Sequence, residues 1–186
     1  FVIGDIRDQE RVDKVFLEFN PNIAIIASAL KQVDTCEQSP FESIKTNVLG
    51  INNVINSTVR YADRLKKLNS VLLVSTDKAC SPSNVYGMSK ALAERLITSS
   101  SNGNKNTKYI AVRYGNVLES RGSILPLFRF QGEFKSHLTV THTNMTRFIM
   151  TLEESVDLIV SALLGAKSGE LWLPKLKSMK IIDLAE

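Results

Sequence analysis

The chain has 186 residues, a length that suits one ordinary domain with a substantial hydrophobic core. Its composition, 44% hydrophobic and 23% charged, is typical of a soluble globular protein, and no apolar run approaches the roughly 20 residues that a membrane helix needs. The net charge of +4 is spread along the chain, which is compatible with an anionic small-molecule ligand and disfavours a nucleic-acid-binding protein.

Strand-like and helix-like segments alternate up to residue 114. Apolar runs of strand length occur at residues 1–3, 23–27, 71–75 and 109–114. Apolar residues at helical spacing fill the intervals, in segments 8–19, 40–55 and 83–99. The core face of the helix at 83–99 is expected to contain Leu92, Leu96 and Ile97. Continuous apolar runs are typical of parallel strands that are buried on both faces. The alternation therefore predicts an α/β fold, a doubly wound, Rossmann-type parallel sheet with right-handed crossovers.

Shorter elements follow from residue 115 onward. The pattern predicts a loop at 115–122, helices at 124–130, 151–166 and 179–186, and strands at 138–140 and 171–173. Thr151 as N-cap, with Glu154 three residues later, predicts a capping box at the start of the helix at 151–166. We therefore expect a partial dinucleotide-binding domain at 1–114 and, at 115–186, mainly a small substrate-binding lobe with segments that return to the sheet. Phe1 opens the chain in what we interpret as the end of a strand, so the first elements of the sheet are expected to be missing.

Tyr86 and Lys90 are four residues apart and therefore lie one turn apart on the same face of the predicted helix. The reference pKa of a phenol is about 10, and a nearby ammonium group favours the phenolate. A hydroxyl at the end of the preceding strand, from Ser75 or Thr76, can bond the same substrate oxygen. Together these groups can take a proton from an alcohol while its carbon gives hydride to a nicotinamide.

An acid and a base stand side by side at Asp77 and Lys78. An alcohol dehydrogenase does not need this pair. An elimination does, because one group removes a carbon-bound proton next to a carbonyl while the other protonates the departing hydroxyl. A solvated ion pair in a loop is the alternative interpretation of the same two residues.

These motifs resemble a known family. The run Ser75-Thr76-Asp77-Lys78-Ala79, with Tyr86-Gly87 and Lys90, is similar to the extended short-chain dehydrogenase/reductases. The similarity is closest to their inverting UDP-N-acetylglucosamine 4,6-dehydratases, the CapD-like polysaccharide biosynthesis proteins that also serve flagellin-sugar synthesis. Further similar segments extend over nearly the whole chain, at residues 29–37, 45–50, 113–123, 145–148 and 174–180.

The resemblance implies a role for each group at this strand end. Tyr86 would deprotonate the 4-hydroxyl of the sugar, with Lys90 lowering its pKa and holding the nicotinamide ribose. Thr76 would orient the 4-oxygen, Lys78 would remove the C5 proton, and Asp77 would protonate the departing 6-hydroxyl. Hydride returns to C6 and the proton returns to C5 from the opposite face, so the net reaction is that of a lyase with inversion at C5.

The resemblance also implies the binding residues, with NADP as the expected cofactor and NAD as the alternative. The cofactor-binding candidates are Asp5, Ile6, Ala27, Ser28, Ala29, Lys31, Asn47, Ser75, Tyr86, Lys90 and Tyr114. The candidates for binding the UDP-sugar are Lys31, Asn116, Arg121 and Arg147. Arginine suits a diphosphate because its planar fork can donate two hydrogen bonds at once.

Assembly and compartment follow from the same resemblance. A glycine-rich phosphate turn is expected before Phe1, so the chain as given is expected to bind the cofactor poorly. The full-length protein is expected to be a cytoplasmic homo-oligomer. Cys36 and Cys80 have neither metal-type nor redox-type spacing, and they favour a reducing compartment. His137 and His142 lack partners at metal spacing, so no metal site is predicted.

Two other functions are compatible with this sequence. One is a retaining 4,6-dehydratase or a 4-epimerase on the same fold, which would share the hydride chemistry of Tyr86 and Lys90. The other belongs to a different class: a nucleotide-sugar-binding module without catalysis. The presence of both Asp77 and Lys78 beside the hydride-transfer pair favours the dehydratase.

Overall fold

The computed structural model describes residues 1–102, 106–120, 123–135 and 137–185. They form two compact units. The first unit contains Phe1–Arg113 and Ser161–Trp172, and the second contains Tyr114–Val160 and the residues from Leu173 onward.

The elements alternate between helix and strand through the first part of the chain. In chain order they are α1 (Gln9–Phe19), β1 (Ile23–Ile26), α2 (Val33–Gln38), α3 (Pro40–Ile44), a π-helical turn (Lys45–Leu49), α4 (Gly50–Arg60), β2 (Ser70–Thr76), a 3₁₀ turn (Asp77–Ala79), α5 (Val85–Ser99), a second 3₁₀ turn (Ser100–Asn102) and β3 (Lys108–Tyr114). The elements that follow are β4 (Asn116–Val117), α6 (Ile124–Phe134), β5 (Thr146–Met150), α7 (Leu152–Gly165), β6 (Leu171–Trp172), β7 (Ser178–Lys180) and α8 (Ile181–Ala185).

The first unit is built on a four-stranded sheet in the order β1-β2-β3-β6. Strands β1 and β2 pair in parallel, with Ile23 opposite Ser70, and β3 and β6 pair in parallel, with Ala111 opposite Leu171. Helices flank this sheet, so the predicted Rossmann-type layer is confirmed. The parallel arrangement matters for function because it brings the carboxyl ends of neighbouring strands to one edge of the sheet.

The core of the first unit forms between the central strands and two helices. The apolar residues at the centres of β2 and β3 are fully buried, as their continuous hydrophobic runs predicted, while Val74 near the end of β2 is half-buried. Helix α4 contributes Ile51, Val54 and Ile55, and α5 contributes Ala93 and Ile97. These contacts fix α5 against the sheet, and the first turn of α5 carries Tyr86.

Strand β1 departs from the expected burial on both faces. Ile23 and Ile25 are 46% and 49% exposed, whereas Ile26 is buried. Side chains alternate along a strand, so one face of β1 packs on the core. The prediction was wrong for the other face, because no described element covers it.

Other local predictions also need correction. Residues 1–3 and 138–140 are not strands. In the second segment the backbone N–H of Thr139 donates to the Gln131 side chain of α6 at 2.9 Å, which ties the loop to a helix instead of a sheet. Leu92, predicted to face the core, is 54% exposed. Residues 178–180 form strand β7, and the last helix begins only at Ile181.

The second unit contains a three-stranded sheet in the order β4-β5-β7. Strand β5 is parallel to β4 and antiparallel to β7. The predicted capping box at the start of α7 is confirmed: Thr151 N–H donates to the Glu154 carboxylate at 2.8 Å, and Glu154 N–H donates to the Thr151 hydroxyl at 3.1 Å. Among the described residues, every helix is too short or too polar to cross a membrane.

Candidate active site

Strand β2 ends in a compact cluster of polar side chains. The buried run of β2 delivers Thr76 at its last position, and Asp77 and Lys78 follow in the 3₁₀ turn. The Thr76 hydroxyl donates to Asp77 Oδ1 at 3.0 Å, and Lys78 Nζ donates to the same oxygen at 3.1 Å. Asp77 and Lys78 therefore form an ion pair that is anchored to the strand end through the threonine.

Helix α5 begins beside this strand end. Asn84 is its N-cap and accepts a hydrogen bond from Gly87 N–H at 2.8 Å. The Val85 N–H donates to the Glu37 carboxylate at 2.6 Å, which is a second cap supplied by helix α2. Two of the first N–H groups of α5 are thereby satisfied, and the first turn, which carries Tyr86, is held in place.

Tyr86 and Lys90 join the helix to the strand. The Tyr86 hydroxyl hydrogen-bonds with Thr76, and Lys90 Nζ donates to the Val74 carbonyl oxygen at 2.7 Å. The five predicted catalytic residues are therefore brought together at one edge of the sheet. They are Thr76, Asp77, Lys78, Tyr86 and Lys90.

Burial controls the protonation of the two groups on the helix. Burial raises the pKa of Tyr86, the hydrogen bond with Thr76 opposes this rise, and the charge of Asp77 adds to it. Burial also lowers the pKa of Lys90 to about 8, while the nearby Glu94 carboxylate works in the opposite direction. In this structure the largest effect on the pKa of Tyr86 is burial, which raises it, and the Lys90 ammonium donates to the Val74 carbonyl. The role of Lys90 in lowering the pKa of Tyr86, implied by the resemblance, stays a prediction.

Asn47 connects the loop after β1 to helix α5. Its side-chain oxygen accepts from Leu30 N–H at 2.8 Å, and its amide donates to the Leu30 carbonyl at 2.9 Å. The same amide donates to the Ser89 hydroxyl at 3.0 Å, and Ser89 in turn donates to the Tyr86 carbonyl at 2.8 Å. Asn47 is fully buried in the π-helical turn, a type of helix irregularity that often occurs at functional sites. It braces two sides of the candidate site.

The cofactor-binding candidates after β1 leave open space at the sheet edge. Ala27 and Ser28 are exposed, Ala29 is half-buried, and Lys31 is exposed. Small side chains let a ligand approach the backbone closely, and the buried Lys90 lies at the carboxyl end of the adjacent strand. The assignment of these residues to the ribose and pyrophosphate of a dinucleotide stays a prediction.

Asp5 and Ile6 occupy different environments at the start of the chain. Asp5 forms an exposed ion pair with Arg7 at 2.7 Å, and Arg7 holds the pKa of that carboxyl below its ordinary value. Ile6 packs on the core, close to Gly50. Their assignment to the adenine stays a prediction.

Ser75 makes a contact that the sequence did not indicate. Its hydroxyl donates to Glu94 Oε1 at 2.5 Å, and both residues are buried. Arg113 donates to Glu94 through Nε at 2.9 Å and through Nη2 at 2.7 Å. The overlooked signal was spacing, since Glu94 stands four residues after Lys90 and eight after Tyr86 on the same helix face.

The remaining candidates lie in the second unit. Asn116 donates to the Phe148 carbonyl at 2.9 Å, and Arg147 donates to the Thr146 carbonyl at 2.8 Å. Asn116 and Arg147 line one cavity of about 180 Å³. Tyr114, a cofactor candidate, donates through its hydroxyl to the Ser155 carbonyl at 3.0 Å.

Two residues before helix α6, Arg121 and Ser123, remain to be placed relative to the predicted substrate site. Arg121 lies outside the described residues, so its assignment to the sugar nucleotide stays a prediction. Ser123, which was not predicted, lines the same cavity as Asn116, and its buried hydroxyl has no hydrogen-bond partner among the described residues. An unsatisfied buried hydroxyl in a cavity wall is suited to bind a ligand.

The first unit therefore offers proton-transfer groups of several kinds at one point. A phenol, an ammonium, a hydroxyl and an adjacent acid–base pair can move protons to and from both an oxygen and a carbon of one substrate. In the part of the chain that the structure describes, no group of three or more His, Cys, Asp or Glu side chains is arranged to hold a metal ion.

Several curated proteins are similar over the whole chain. A protein of Methanocaldococcus jannaschii named an uncharacterized membrane protein is 43% identical over 99% of this chain and 54% of its own length. The inverting UDP-N-acetylglucosamine 4,6-dehydratase of Campylobacter jejuni is 40% identical over 100% of this chain and 54% of its own. A UDP-glucose 4-epimerase of Rickettsia rickettsii is 40% identical over 100% of this chain and 53% of its own length. The chain spans about half the length of these relatives.

Solved structures agree in fold, and a family model identifies the chain. The structure of Pen from Bacillus thuringiensis matches with a TM-score of 0.90 and 39% identity, over 99% of this chain and 57% of that one. A dTDP-glucose 4,6-dehydratase from Streptomyces venezuelae, solved with NAD bound, matches with a TM-score of 0.86 at 19% identity, over 100% of this chain and 61% of that one. At this identity the match shows a shared fold only. The model of the polysaccharide biosynthesis protein family matches residues 1–186. The chain therefore belongs to the polysaccharide biosynthesis protein family.

Proposed function

We propose that the protein, at its natural full length, catalyses the NADP-dependent 4,6-dehydration of UDP-N-acetylglucosamine with inversion at C5. The product would be a 4-keto-6-deoxy sugar nucleotide for bacterial surface polysaccharide or flagellin sugars. One observation carries this proposal: the Asp77–Lys78 ion pair is bonded to the same threonine that contacts Tyr86. An acid–base pair in that place serves an elimination, and the dehydratase of C. jejuni is a relative at 40% identity.

A nicotinamide dinucleotide fits the residues at the edge of the sheet. Ala27 and Ser28 leave space for close backbone approach, and Lys90 would hold the ribose. When bound, the cofactor supplies the acceptor and the donor of hydride. NADP is the expected form and NAD the alternative; turnover with each cofactor, measured separately, decides between them.

The first proton transfer is assigned to Tyr86. The phenolate takes the proton of the 4-hydroxyl, and Thr76 holds the 4-oxygen in line through its own hydroxyl. Because burial raises the pKa of Tyr86, the phenolate is scarce at neutral pH in this structure. The rate of this step is therefore expected to rise with pH until Lys90 loses its proton.

The elimination is assigned to the acid–base pair. The 4-keto group acidifies the C5 proton, which passes to Lys78 in its neutral form. Asp77, in its protonated form, gives its proton to the 6-hydroxyl, which leaves as water. Lys78 Nζ and Asp77 Oδ1 lie 3.1 Å apart, so the base and the acid proposed for the elimination stand side by side at the end of β2. A proton delivered to the opposite face of C5 completes the inversion.

The second unit is proposed to bind the nucleotide part of the substrate. Asn116, Ser123 and Arg147 line its cavity of about 180 Å³. Arg147 offers a guanidinium to the diphosphate, and the Ser123 hydroxyl, which has no partner among the described residues, offers a hydrogen bond. Lys31, in the first unit, is the further candidate for contact with the sugar nucleotide.

A 4-epimerase is the second candidate function. The observation that favours it is the R. rickettsii relative, which is named a UDP-glucose 4-epimerase and is 40% identical. An epimerase uses the hydride chemistry of Thr76, Tyr86 and Lys90 but does not remove the C5 proton. Exchange at C5 therefore separates the two functions.

The test is to incubate the full-length protein with UDP-N-acetylglucosamine and NADP in heavy water and to follow the sugar by NMR. The expected product is a 4-keto-6-deoxy sugar that is deuterated and inverted at C5. A 4-epimer without deuterium at C5 would identify the epimerase, and a retained C5 configuration would identify the retaining dehydratase. Tight binding of the UDP-sugar without any turnover would identify a binding module.

Single substitutions assign the two groups of the pair. Lys78→Ala is expected to abolish C5 exchange, whereas Asp77→Asn is expected to slow loss of water and leave some exchange. Lys67→Ala is the matched control, because Lys67 is an exposed lysine on the turn before β2. Retained exchange in Lys78→Ala would remove Lys78 from the role of base.

Self-association is also part of the proposal. Apolar side chains are exposed on the helices that flank the site: Phe41 and Ile44 on α3, and Met88 and Leu92 on α5. Analytical ultracentrifugation of the full-length protein tests this, and a monomer at micromolar concentration would contradict it.

A further inference from the structure

We propose that Glu94 is a positioning residue for the proposed reaction, because its buried carboxylate ties the end of strand β2 and the end of strand β3 to the helix face that carries Tyr86 and Lys90. The inference rests on the function proposed above and assigns to it a residue that does not touch the substrate. It predicts that the charge and the length of the Glu94 side chain both matter for turnover.

The geometry consists of three bonds that converge on one carboxylate. Ser75, next to last in β2, donates to Oε1 at 2.5 Å. Arg113, next to last in β3, donates to Oε1 at 2.9 Å and to Oε2 at 2.7 Å. The ends of two neighbouring strands, β2 and β3, are thus hydrogen-bonded to the same side chain of α5. A buried bidentate arginine–carboxylate pair is a rigid connection, since its planar groups fix distance and orientation together.

A second connection lies one turn earlier on the helix. Lys90 donates to the Val74 carbonyl at 2.7 Å, so consecutive residues of β2, Val74 and Ser75, are bonded to α5 at positions four residues apart. The next residue of the strand is Thr76, which contacts Tyr86. The two bonds therefore set how closely the threonine approaches the phenol, and the turn with Asp77 and Lys78 follows directly from it.

The charges at this point also depend on Glu94. The groups that face its carboxylate are Lys90 on the same helix and Arg113 on β3, and Arg113 additionally contacts the Cys80 thiol. Glu94 is 5% exposed and Lys90 is 2% exposed. Removal of this single anion takes from Lys90 the nearby negative charge that favours its protonated form, while burial continues to disfavour that form.

Asp13 provides a matched control in the same unit. It is also a buried carboxylate that accepts from a serine, Ser57 at 2.5 Å, and from an arginine, Arg60 at 3.0 Å. Its network joins α1 to α4, away from the strand ends. Asp13→Asn therefore removes a similar charge from a similar network without touching the link between β2 and α5.

The experiment compares Glu94→Gln, Glu94→Asp and Asp13→Asn in the full-length protein. We expect Glu94→Gln to lower kcat roughly 10- to 100-fold, as small misplacements of catalytic groups do, with the cofactor KM changed less than about two-fold. Its alkaline limb in the kcat–pH profile should move to lower pH, because Lys90 loses its nearby anion. Glu94→Asp should restore the position of that limb while kcat stays low, and Asp13→Asn should match the wild type in kcat and in pH profile.

A readout without substrate separates this inference from the proposed function. Amide hydrogen exchange at Thr76 and Lys78 should accelerate at least about ten-fold in Glu94→Gln and stay unchanged in Asp13→Asn. Normal exchange there, or a kcat and pH profile equal to those of Asp13→Asn, would overturn the role of Glu94. Wild-type protein without turnover would refute the proposed function, while the exchange comparison would still decide whether Glu94 holds the strand end. If Glu94→Gln does not fold, Arg113→Lys, which keeps the charge and loses the planar fork, takes its place in the kcat and hydrogen-exchange comparisons. Its alkaline limb should stay at the wild-type position, because Glu94 is retained.

Discussion

The backbone carbonyl of Lys78 lies directly against the α-carbon of Gly87, so the turn that carries the acid–base pair and the first turn of α5 touch without an intervening side chain. A β-carbon at position 87 would overlap that carbonyl oxygen and would lie 3.1 Å from Pro82 Cβ. Both neighbours are rigid backbone or ring atoms. The glycine therefore determines how closely Lys78 approaches the helix that carries Tyr86.

Gly87→Ala is expected to displace the Asp77–Lys78 turn. The free energy of unfolding should fall by about 1–3 kcal/mol, as for other overpacked sites, and turnover should fall more than about ten-fold. Urea unfolding and steady-state kinetics measure the two effects. Gly132→Ala is the control, because among the described residues no atom outside the adjoining backbone of its own helix lies within 4 Å of the added β-carbon. A helical alanine is favoured by up to about 1 kcal/mol. Wild-type turnover in Gly87→Ala would show that the close approach has no catalytic role.

The cap of α5 offers a second prediction. Asn84→Ala removes the acceptor for Gly87 N–H and should cost about 1 kcal/mol of stability together with a measurable loss of kcat, since Tyr86 lies in the loosened turn. Asp8→Ala removes the equivalent cap of α1, where Asp8 accepts from Arg11 N–H at 3.0 Å. It should cost a similar amount of stability and leave kcat unchanged. Equal kinetics in the two variants would contradict a special role for the α5 cap.

Lys90 should give the protein a distinctive dependence of stability on pH. Burial lowers its pKa from 10.5 to about 8, so the unfolded chain binds this proton more tightly than the folded chain does. Below about pH 8 Lys90 is protonated in both the folded and the unfolded chain, so it adds no pH dependence to the free energy of unfolding. Between about pH 8 and 10.5 the unfolded state carries more protons, so the free energy of unfolding rises with pH, by about 3 kcal/mol in total.

The measurement is urea unfolding between pH 7.5 and 10.5 for the wild type and for Lys90→Met. The wild-type curve should rise relative to that of the variant, because only the wild type gains stability as the buried ammonium loses its proton. Lys66→Met, which changes an exposed lysine, should keep the wild-type slope. Parallel curves for the wild type and Lys90→Met would refute the lowered pKa.

Ser123→Ala is expected to act in opposite directions on stability and on binding. The buried hydroxyl has no partner among the described residues, so its removal should keep or raise the free energy of unfolding, by up to about 1 kcal/mol. The KM for the sugar nucleotide should rise several-fold if the hydroxyl binds the ligand as proposed. Ser155→Ala is the control: its hydroxyl donates to the Leu152 carbonyl at 2.7 Å, so stability should fall while KM stays constant. An unchanged KM in Ser123→Ala would remove Ser123 from the substrate site.

Much of the first unit was predictable from local patterns in the sequence. The buried central residues of β2 and β3 appear as continuous apolar runs, and the spacing of Tyr86 and Lys90 places both on one helix face whatever the rest of the chain does. The capping box at Thr151 and Glu154 was likewise visible, because a cap is formed by residues three apart. Predictions failed where burial depends on distant elements, as for Ile25 of β1 and Leu92 of α5.

The same division applies to the cluster of Thr76, Asp77, Lys78 and Tyr86. The sequence by itself determined which chemical groups stand at the end of β2 and the start of α5, because residue type and local spacing are properties of the chain alone. Only the tertiary structure decided that Ser75 and Arg113 both donate hydrogen bonds to the Glu94 carboxylate, and that burial raises the pKa of Tyr86. Hydrogen bonds between residues 19 apart and the loss of solvent around a phenol arise from packing. No local pattern encodes them.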